Sequence, residues 1–307
     1  MASKMVEAYQ IHPMSSSHDE YDTSILSNLS IQTIPKPQPG PKSALVRLRA
    51  ASVNFRDLLI IASSPNYPAK TTPGLSPCSD GAGEIEAVGP DSEWRIGDKV
   101  ILKPNQSWYY SEDVAEFEID KALGGADMHG TLQQYRVVED KWLGKMPRNL
   151  SFEEAAALPT AGVTAVNALY HSRLLGAKGE DLLKGKTVLT QGTGGVSCFA
   201  IQLASAAGAR VIATSSTDEK LKAARAMGAT DLINYKTKPE WADEVLKLTG
   251  GKGVDLVIEV GGAATIEQSL KATRQGGTLV VIGILTASKQ MDLVPAILFG
   301  AKTGMFY

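Results

Sequence analysis

Cysteine is nearly absent from this sequence. The two residues present among 307, Cys78 and Cys198, lie far apart and form no Cys-x-x-Cys pair, which argues against a disulfide framework and against a structural zinc knot and fits a reducing compartment. Histidine is scarce too, with His12, His18, His129 and His171 scattered singly, each read as a surface or internally satisfied residue. A surplus of charge is missing as well. With 31 Lys plus Arg against 33 Asp plus Glu the net charge is -2, so no electrostatic case exists for nucleic acid or an anionic membrane as partner. No apolar run reaches the ~18 residues needed to cross a bilayer, and the opening MASKMVEAYQ has no signal-peptide apolar region. These absences lead to the expectation of a soluble, cytoplasmic protein.

What is there is ordinary globular material, 43% hydrophobic and 21% charged, in a chain long enough for about two domains at ~150 residues each. In residues 1–150 short apolar or alternating runs stand between Gly and Pro punctuation, which predicts a β-rich domain. Expected strands are Ala44 to Ala50, Gly83 to Val88, Lys99 to Leu102 and Leu132 to Val138, while the polar, aromatic segment Ser107 to Asp127 reads as a surface lobe. Residues 151–307 change character. Ser151 followed by Glu153 and Glu154 reads as a helix N-cap with favourable first-turn charges. From Lys186 onward apolar strands (TVLTQ, ARVIAT, DLINY, VDLVIEV, TLVVIG) alternate with helical segments, the pattern of right-handed βαβ units around a parallel sheet.

The first of these units carries Gln191-Gly192-Thr193-Gly194-Gly195-Val196-Ser197 between strand and helix. Gly192 suits a tight turn, Gly194 lets backbone amides reach a pyrophosphate, and the helix N-terminus supplies partial positive charge. Turn glycines without a ligand are the alternative, and the strand-loop-helix setting favours binding. Ser197 stands where the simple fingerprint has a third glycine. The next strand runs into Ser215-Ser216-Thr217 with no acid at its end; Asp218 and Glu219 read as first-turn acids of the following helix. Hydroxyls together with Lys220 suit a 2′-phosphate, so NADPH is expected in preference to NADH. The competing reading is a helix cap and a solvated helix face.

In these motifs, and in ASVNFRD (Ala51 to Asp57), DGAGEIEAVG (Asp80 to Gly89), GDKV (Gly97 to Val100), GTLQQY (Gly130 to Tyr135), LPTAGVTA (Leu158 to Ala165) and GGKGVDLVIEVGG (Gly250 to Gly262), the chain from about Pro35 to Thr303 resembles the medium-chain dehydrogenases and reductases, in their zinc-free quinone-oxidoreductase-like and alcohol-dehydrogenase-like branch. The resemblance implies an α/β architecture, a Rossmann doubly wound parallel sheet plus a β-rich GroES-like catalytic domain. It places Asn54, Ser79 and Thr160 where zinc-using relatives have Cys, His and Cys, with Asp80 at the position of a nearby acid. Amide and hydroxyl groups are poor substitutes for thiolate and imidazole, so no metal is expected. The resemblance further implies that Thr164 and Thr160 to Gly162 lie beside the nicotinamide. It puts Gly192, Thr193, Gly194, Gly195 and Val196 on the pyrophosphate, and Ser215, Ser216, Lys220 and Tyr235 around the adenosine 2′-phosphate. Gly261 and Gly283 would let backbone approach the cofactor. Tyr235 has a second reading as a strand-end aromatic packed on its own domain, and Asp57 one as a buried anchor.

Hydride chemistry belongs to the cofactor. Asn54 and Thr160 are the candidate catalytic residues, polarising a small-molecule electrophile, an activated C=C, enone or quinone; Asn54 has a second reading in which it orients the cofactor ribose. Tyr67 and Tyr109 are candidate proton donors, with solvent as the alternative. A zinc-free alcohol dehydrogenase or carbonyl reductase, and a catalytically silent nucleotide-binding protein, remain open. The resemblance stops near Phe299 to Thr303, so the C-terminus reads as truncated: the last strand and helices of relatives are expected to be missing, Thr278 to Gly283 to lie at a bare edge that invites aggregation, and the homodimer usual in relatives is not expected.

Overall fold

A computed structural model describes residues 4–12, 21–107, 116–171, 182–283 and 303–306. The chain divides into two compact units, Met1–Thr160 and Ala161–Tyr307.

In the first unit β1 (Met5–Ile11) pairs antiparallel with β2 (Leu29–Pro35), in a hairpin register of Ala8 opposite Gln32. The strands β3 (Ser43–Ser52), β4 (Asp80–Val88), β5 (Lys99–Leu102), β6 (Tyr135–Glu139) and β7 (Leu143–Lys145) form a separate antiparallel sheet of order β6-β3-β4-β5-β7. One of its faces buries Val46, Ile85, Leu102, Val138 and Trp142. Helix α1 (Phe55–Ile61) leaves the end of β3, and α2 (Phe152–Ala156) closes the unit. Ser151 caps α2 as expected, its Oγ accepting from the Glu154 amide while Glu154 reaches back to the Ser151 amide. The unit extends past the expected boundary at residue 150 because Ala155 and Ala156 of α2 pack with Ala82 and Met146 of the β-rich core. Beyond α2 the chain does not continue as a regular α-helix: Leu158–Gly162 forms a wider turn around Pro159, since proline cannot donate the amide that a continuous helix needs at that point.

The second unit begins with α3 (Val163–Val166) and then alternates β8 (Thr187–Gln191), α4 (Gly195–Ala206), β9 (Arg210–Ser215), α5 (Asp218–Ala226), β10 (Asp231–Asn234), α6 (Trp241–Leu248), β11 (Val254–Glu259), α7 (Ile266–Ala272), β12 (Thr273–Val281) and β13 (Thr303–Phe306). The sheet is parallel with order β10-β9-β8-β11-β12-β13. Its direction of winding reverses between β8 and β11. Every residue of β11 is buried, because helices cover both faces: one core joins Val188, Leu256 and Ile258 to Ala200 and Ala204 of α4, the other joins Leu189 and Val257 to Trp241, Val245 and Leu270. The expected bare edge at β12 is corrected. Thr303–Phe306 runs parallel to β12 with Thr278 opposite Thr303 and Val281 opposite Phe306, satisfying the backbone groups that sequence reasoning left open.

Leu256 is fully buried at the centre of this sheet. Leu256→Ala is expected to lower stability by about 2 to 5 kcal/mol through the lost transfer energy and the cavity left behind, measured as a lower denaturation midpoint by far-ultraviolet circular dichroism.

Candidate functional site

Asp80, the first residue of β4, is fully buried in the first unit, and four donors meet its carboxyl group. Its Oδ1 accepts from Ser79 Oγ at 3.0 Å and Thr160 Oγ1 at 2.5 Å; its Oδ2 accepts from Asn54 Nδ2 and the Thr160 amide, both at 3.1 Å. Ser79 and Thr160 hydroxyls are themselves 3.1 Å apart. Three positions far apart in sequence, Asn54, Ser79 and Thr160, are therefore drawn together around one carboxyl group. Burial pushes the Asp80 pKa up, and the bonds from Thr160, Asn54 and Ser79 pull it back.

The backbone before Asp80 is held from the side by the GTLQQY segment. The amides of Gly130, Thr131 and Leu132 donate to Ser76, Cys78 and Pro77 carbonyls, and Thr131 Oγ1 donates to the Asp80 carbonyl at 2.7 Å. A Cβ on Gly130 would fall 1.9 Å from the Cys78 carbonyl oxygen, so only glycine permits this approach. Asp57 is the anchor its alternative reading required: buried, it accepts from the Asn54 amide at 2.8 Å and pairs with Arg56 at 3.2 Å. Tyr67 is buried, and its hydroxyl accepts from Arg56 Nη2 at 2.8 Å. Tyr109 lies outside the described residues. Among the described residues no three His, Cys, Asp or Glu side chains gather as a metal-binding group.

In the second unit Gly192 turns the chain with φ +68°, in the left-handed region that glycine adopts without strain. Gly194 is the N-cap of α4, and a Cβ there would meet no atom within 4 Å, so the backbone over the helix N-terminus is open to a ligand. Gly195 is the first residue of α4, and a Cβ on it would lie 3.1 Å from Ala161. Val196 packs partly buried against the core beneath the loop. Ser197, in place of the third glycine, is accommodated by turning its hydroxyl onto the Gln191 carbonyl at 2.7 Å. Thr164 is half-buried on α3.

At the end of β9, Ser215 is buried with its hydroxyl 3.5 Å from Thr193 Oγ1, and Ser216 is half-buried. Thr217 caps α5 by accepting from the Lys220 amide, leaving the exposed Lys220 ammonium with no side-chain partner among the described residues. Asp218 is occupied by Asn234 Nδ2 at 2.7 Å. The Tyr235 amide donates to the Ser215 carbonyl at 3.1 Å, which brings it to the same strand ends, while its ring packs partly against the core. Both readings of Tyr235 thus have support in its placement.

Sequence reasoning missed the most densely bonded group of this unit. Glu259, the last residue of β11, is fully buried. Its Oε1 accepts from the Gly261 amide at 2.7 Å, the Gly262 amide at 2.9 Å and Thr265 Oγ1 at 2.6 Å; its Oε2 accepts from Gln191 Nε2 at 2.7 Å and from Ser269 Oγ. The available signal was a long polar side chain, Gln191 or Glu259, ending each of two strands directly before a turn. Gly261 and Gly283 are required by the chain itself: a Cβ on either would lie 2.3 Å from Thr265 Oγ1 or the Val260 carbonyl oxygen, respectively.

Comparisons with known proteins agree with this layout. Residues 40–148 match the family model of the alcohol dehydrogenase GroES-like domain, and residues 195–304 that of the zinc-binding dehydrogenases. A zinc-type alcohol dehydrogenase-like protein of Schizosaccharomyces pombe is 45% identical over 249 residues, covering 81% of this chain and 69% of the relative. A quinone oxidoreductase of Pseudomonas aeruginosa is 34% identical over 249 residues, covering 80% of this chain and 66% of the relative. The crystal structure of an NAD-dependent alcohol dehydrogenase superposes with a TM-score of 0.83 at 32% identity, covering 98% of this chain and 84% of that one.

The Asp57 carboxyl is pushed up to about 6 by burial, against the pull of the Arg56 guanidinium. A carboxyl group whose pKa rises on folding binds its proton more tightly in the native state. Its stabilising contribution is complete below the unfolded value of about 3.9 and is lost as the pH rises through the folded one. Urea midpoints of the unsubstituted chain are therefore expected to fall relative to those of Asp57→Asn between about pH 4 and pH 7; a constant difference across that range would contradict the assignment.

Proposed function

Since the chain belongs to the medium-chain dehydrogenase/reductase family, we propose that it is an oxidoreductase that uses NADPH to reduce an activated C=C, enone or quinone without a metal. The observation that carries this reading is the Asn54–Ser79–Asp80–Thr160 cluster. Zinc, which one matching family model names, prefers thiolate and imidazole nitrogen; the cluster offers one carboxyl, one amide and two hydroxyls, already bonded to each other. The residues present do not fit that metal, and no step is assigned to it.

The dinucleotide fits better. Gly192 to Val196 supply an open loop at a helix N-terminus, where amides and the helix dipole favour a pyrophosphate, and Ser216 and Lys220 would meet a 2′-phosphate. When bound, the nicotinamide supplies the hydride. Asn54 is the residue best placed to polarise the acceptor. Its Nδ2 carries two hydrogens, of which Asp80 takes one, so the half-buried amide keeps an N–H for a substrate oxygen. Thr160 has a different part. Its hydroxyl donates to Asp80, so it offers outward a lone pair and, when Asp80 holds a proton, a relay for it. Conjugated acceptors suit this modest polarisation, because delocalisation shares the charge that develops on oxygen. A carbonyl-reducing alcohol dehydrogenase is the second reading, favoured by the names of two relatives.

A steady-state screen of enones, quinones and aldehydes with NADPH and NADH is expected to show turnover of the conjugated acceptors with NADPH. Dialysis against a chelator is expected to leave that turnover intact; its loss, with recovery on adding zinc, would overturn the metal-free reading. Lys220→Ala is expected to weaken NADPH binding by about 1 to 3 kcal/mol, the scale of a hydrogen bond to a charged group, and to leave NADH binding unchanged in a calorimetric titration.

A further inference from the structure

Gln191 ends β8 and Glu259 ends β11, the two neighbouring strands between which the winding of the sheet reverses. Their 2.7 Å hydrogen bond therefore spans the switch point, the place across which doubly wound sheets lay a dinucleotide. The surrounding network is continuous, with the Gly261 amide shared between Glu259 Oε1 and Gln191 Oε1. Gln191 Nε2 gives one hydrogen to Glu259 Oε2 and the other to Ser269 Oγ at 2.6 Å, and Ser269 passes its own proton to Glu259. Gln191 Oε1 accepts from the amides of Val260 and Gly261 at 3.1 and 3.2 Å. Five donors are aimed at two oxygens, more than the roughly four lone-pair sites of a carboxylate, so Glu259 has no acceptor capacity to spare.

The consequence for the turn after β11 is directional. The amides of Val260, Gly261 and Gly262 are all turned inward onto Gln191 and Glu259. The turn is also closed from outside, since Val260 abuts Gly283 and Gly261 abuts Thr265 too tightly for any side chain. The same glutamine is the residue directly before the Gly192 turn. One buried carboxyl group thus fixes, through one amide side chain, both strand-end loops at the switch point.

Resting on the reading that this unit binds a nicotinamide dinucleotide, we propose that Glu259 is a positioning residue for the nicotinamide half of that cofactor. The adenosine half belongs to the β9 side, where Ser215 to Lys220 lie; the second mononucleotide belongs across the switch point, on the β11 side. Glu259 touches neither half. It acts by holding the 260–262 turn and, through Gln191, the glycine loop in one register.

The test separates the two halves. Calorimetry measures binding of NADPH and of its adenosine half, 2′,5′-ADP, with NADH and AMP as the parallel pair. Glu259→Gln keeps the volume but points an N–H at groups that are all donors. It is expected to weaken the dinucleotide about tenfold, the scale of one lost hydrogen bond to a charged group, and to change the adenosine half by less than about twofold. Gln191→Met, which removes the bridge while preserving length, is expected to shift the same ratio in the same direction and serves if Glu259→Gln does not fold. Equal losses for dinucleotide and adenosine half would assign the network to general stability and overturn the proposal, as would unchanged dinucleotide binding in both variants. An unsubstituted chain that binds neither NADPH nor NADH overturns the proposed function and this inference together.

Discussion

A carboxyl group taken fully out of water must find donors for both its oxygens or lose several kcal/mol. Asp80 in the first unit and Glu259 in the second are buried in that way, and, unlike Asp57 with its Arg56 partner, neither is answered by a cation. Asp80 is met by two hydroxyls, an amide side chain and a backbone amide; Glu259 by two hydroxyls, an amide side chain and two backbone amides. Much of the local architecture follows from satisfying them. The approach of GTLQQY to the Cys78 backbone puts Thr131 on the Asp80 carbonyl, and the inward turn of Val260 to Gly262 completes the shell of Glu259. Neutral donors serve where a cation would not because they fix direction: an N–H or O–H satisfies the oxygen only along its own bond, so each carboxyl group also sets the orientation of the groups around it.

The two clusters divide the chemical labour. Around Asp80 two of the four donors are hydroxyls, among which protons can be redistributed, and one hydrogen of Asn54 has no partner among the described residues. Around Glu259 the backbone amides of Gly261 and Gly262 carry protons that cannot leave, which suits a scaffold and not a reacting centre. The contrast explains why the first cluster is read as polarising a substrate and the second as holding backbone in position.

Legibility in the sequence followed the range of the interaction. Period and punctuation revealed the parallel sheet, because a strand such as VDLVIEV buried on both faces is an apolar run broken only by Asp255 and Glu259, and they revealed the cap at Ser151, whose partner stands three residues on. The glycine loop was legible for the same reason. The Asp80 cluster became visible only through resemblance, since Asn54, Ser79 and Thr160 carry no local signal of convergence. Glu259 showed only as a polar residue at a strand end: its donors come from Gln191 and from Gly261 to Ser269, and a glutamate closing a strand looks like the start of a solvated loop. Thr303 to Phe306 was missed because a four-residue strand is too short for periodicity to declare.

The placement of tryptophan gives each unit its own light. Trp142 lies in the β-rich core and Trp241 between α6 and the parallel sheet, and both are almost wholly buried. Each indole passes from an apolar setting to water when its own unit opens, and its emission shifts to the red. In Trp241→Phe the remaining tryptophans all stand within residues 1–160, so their emission follows the first unit, and the difference from the unsubstituted chain isolates Trp241 and with it the second unit.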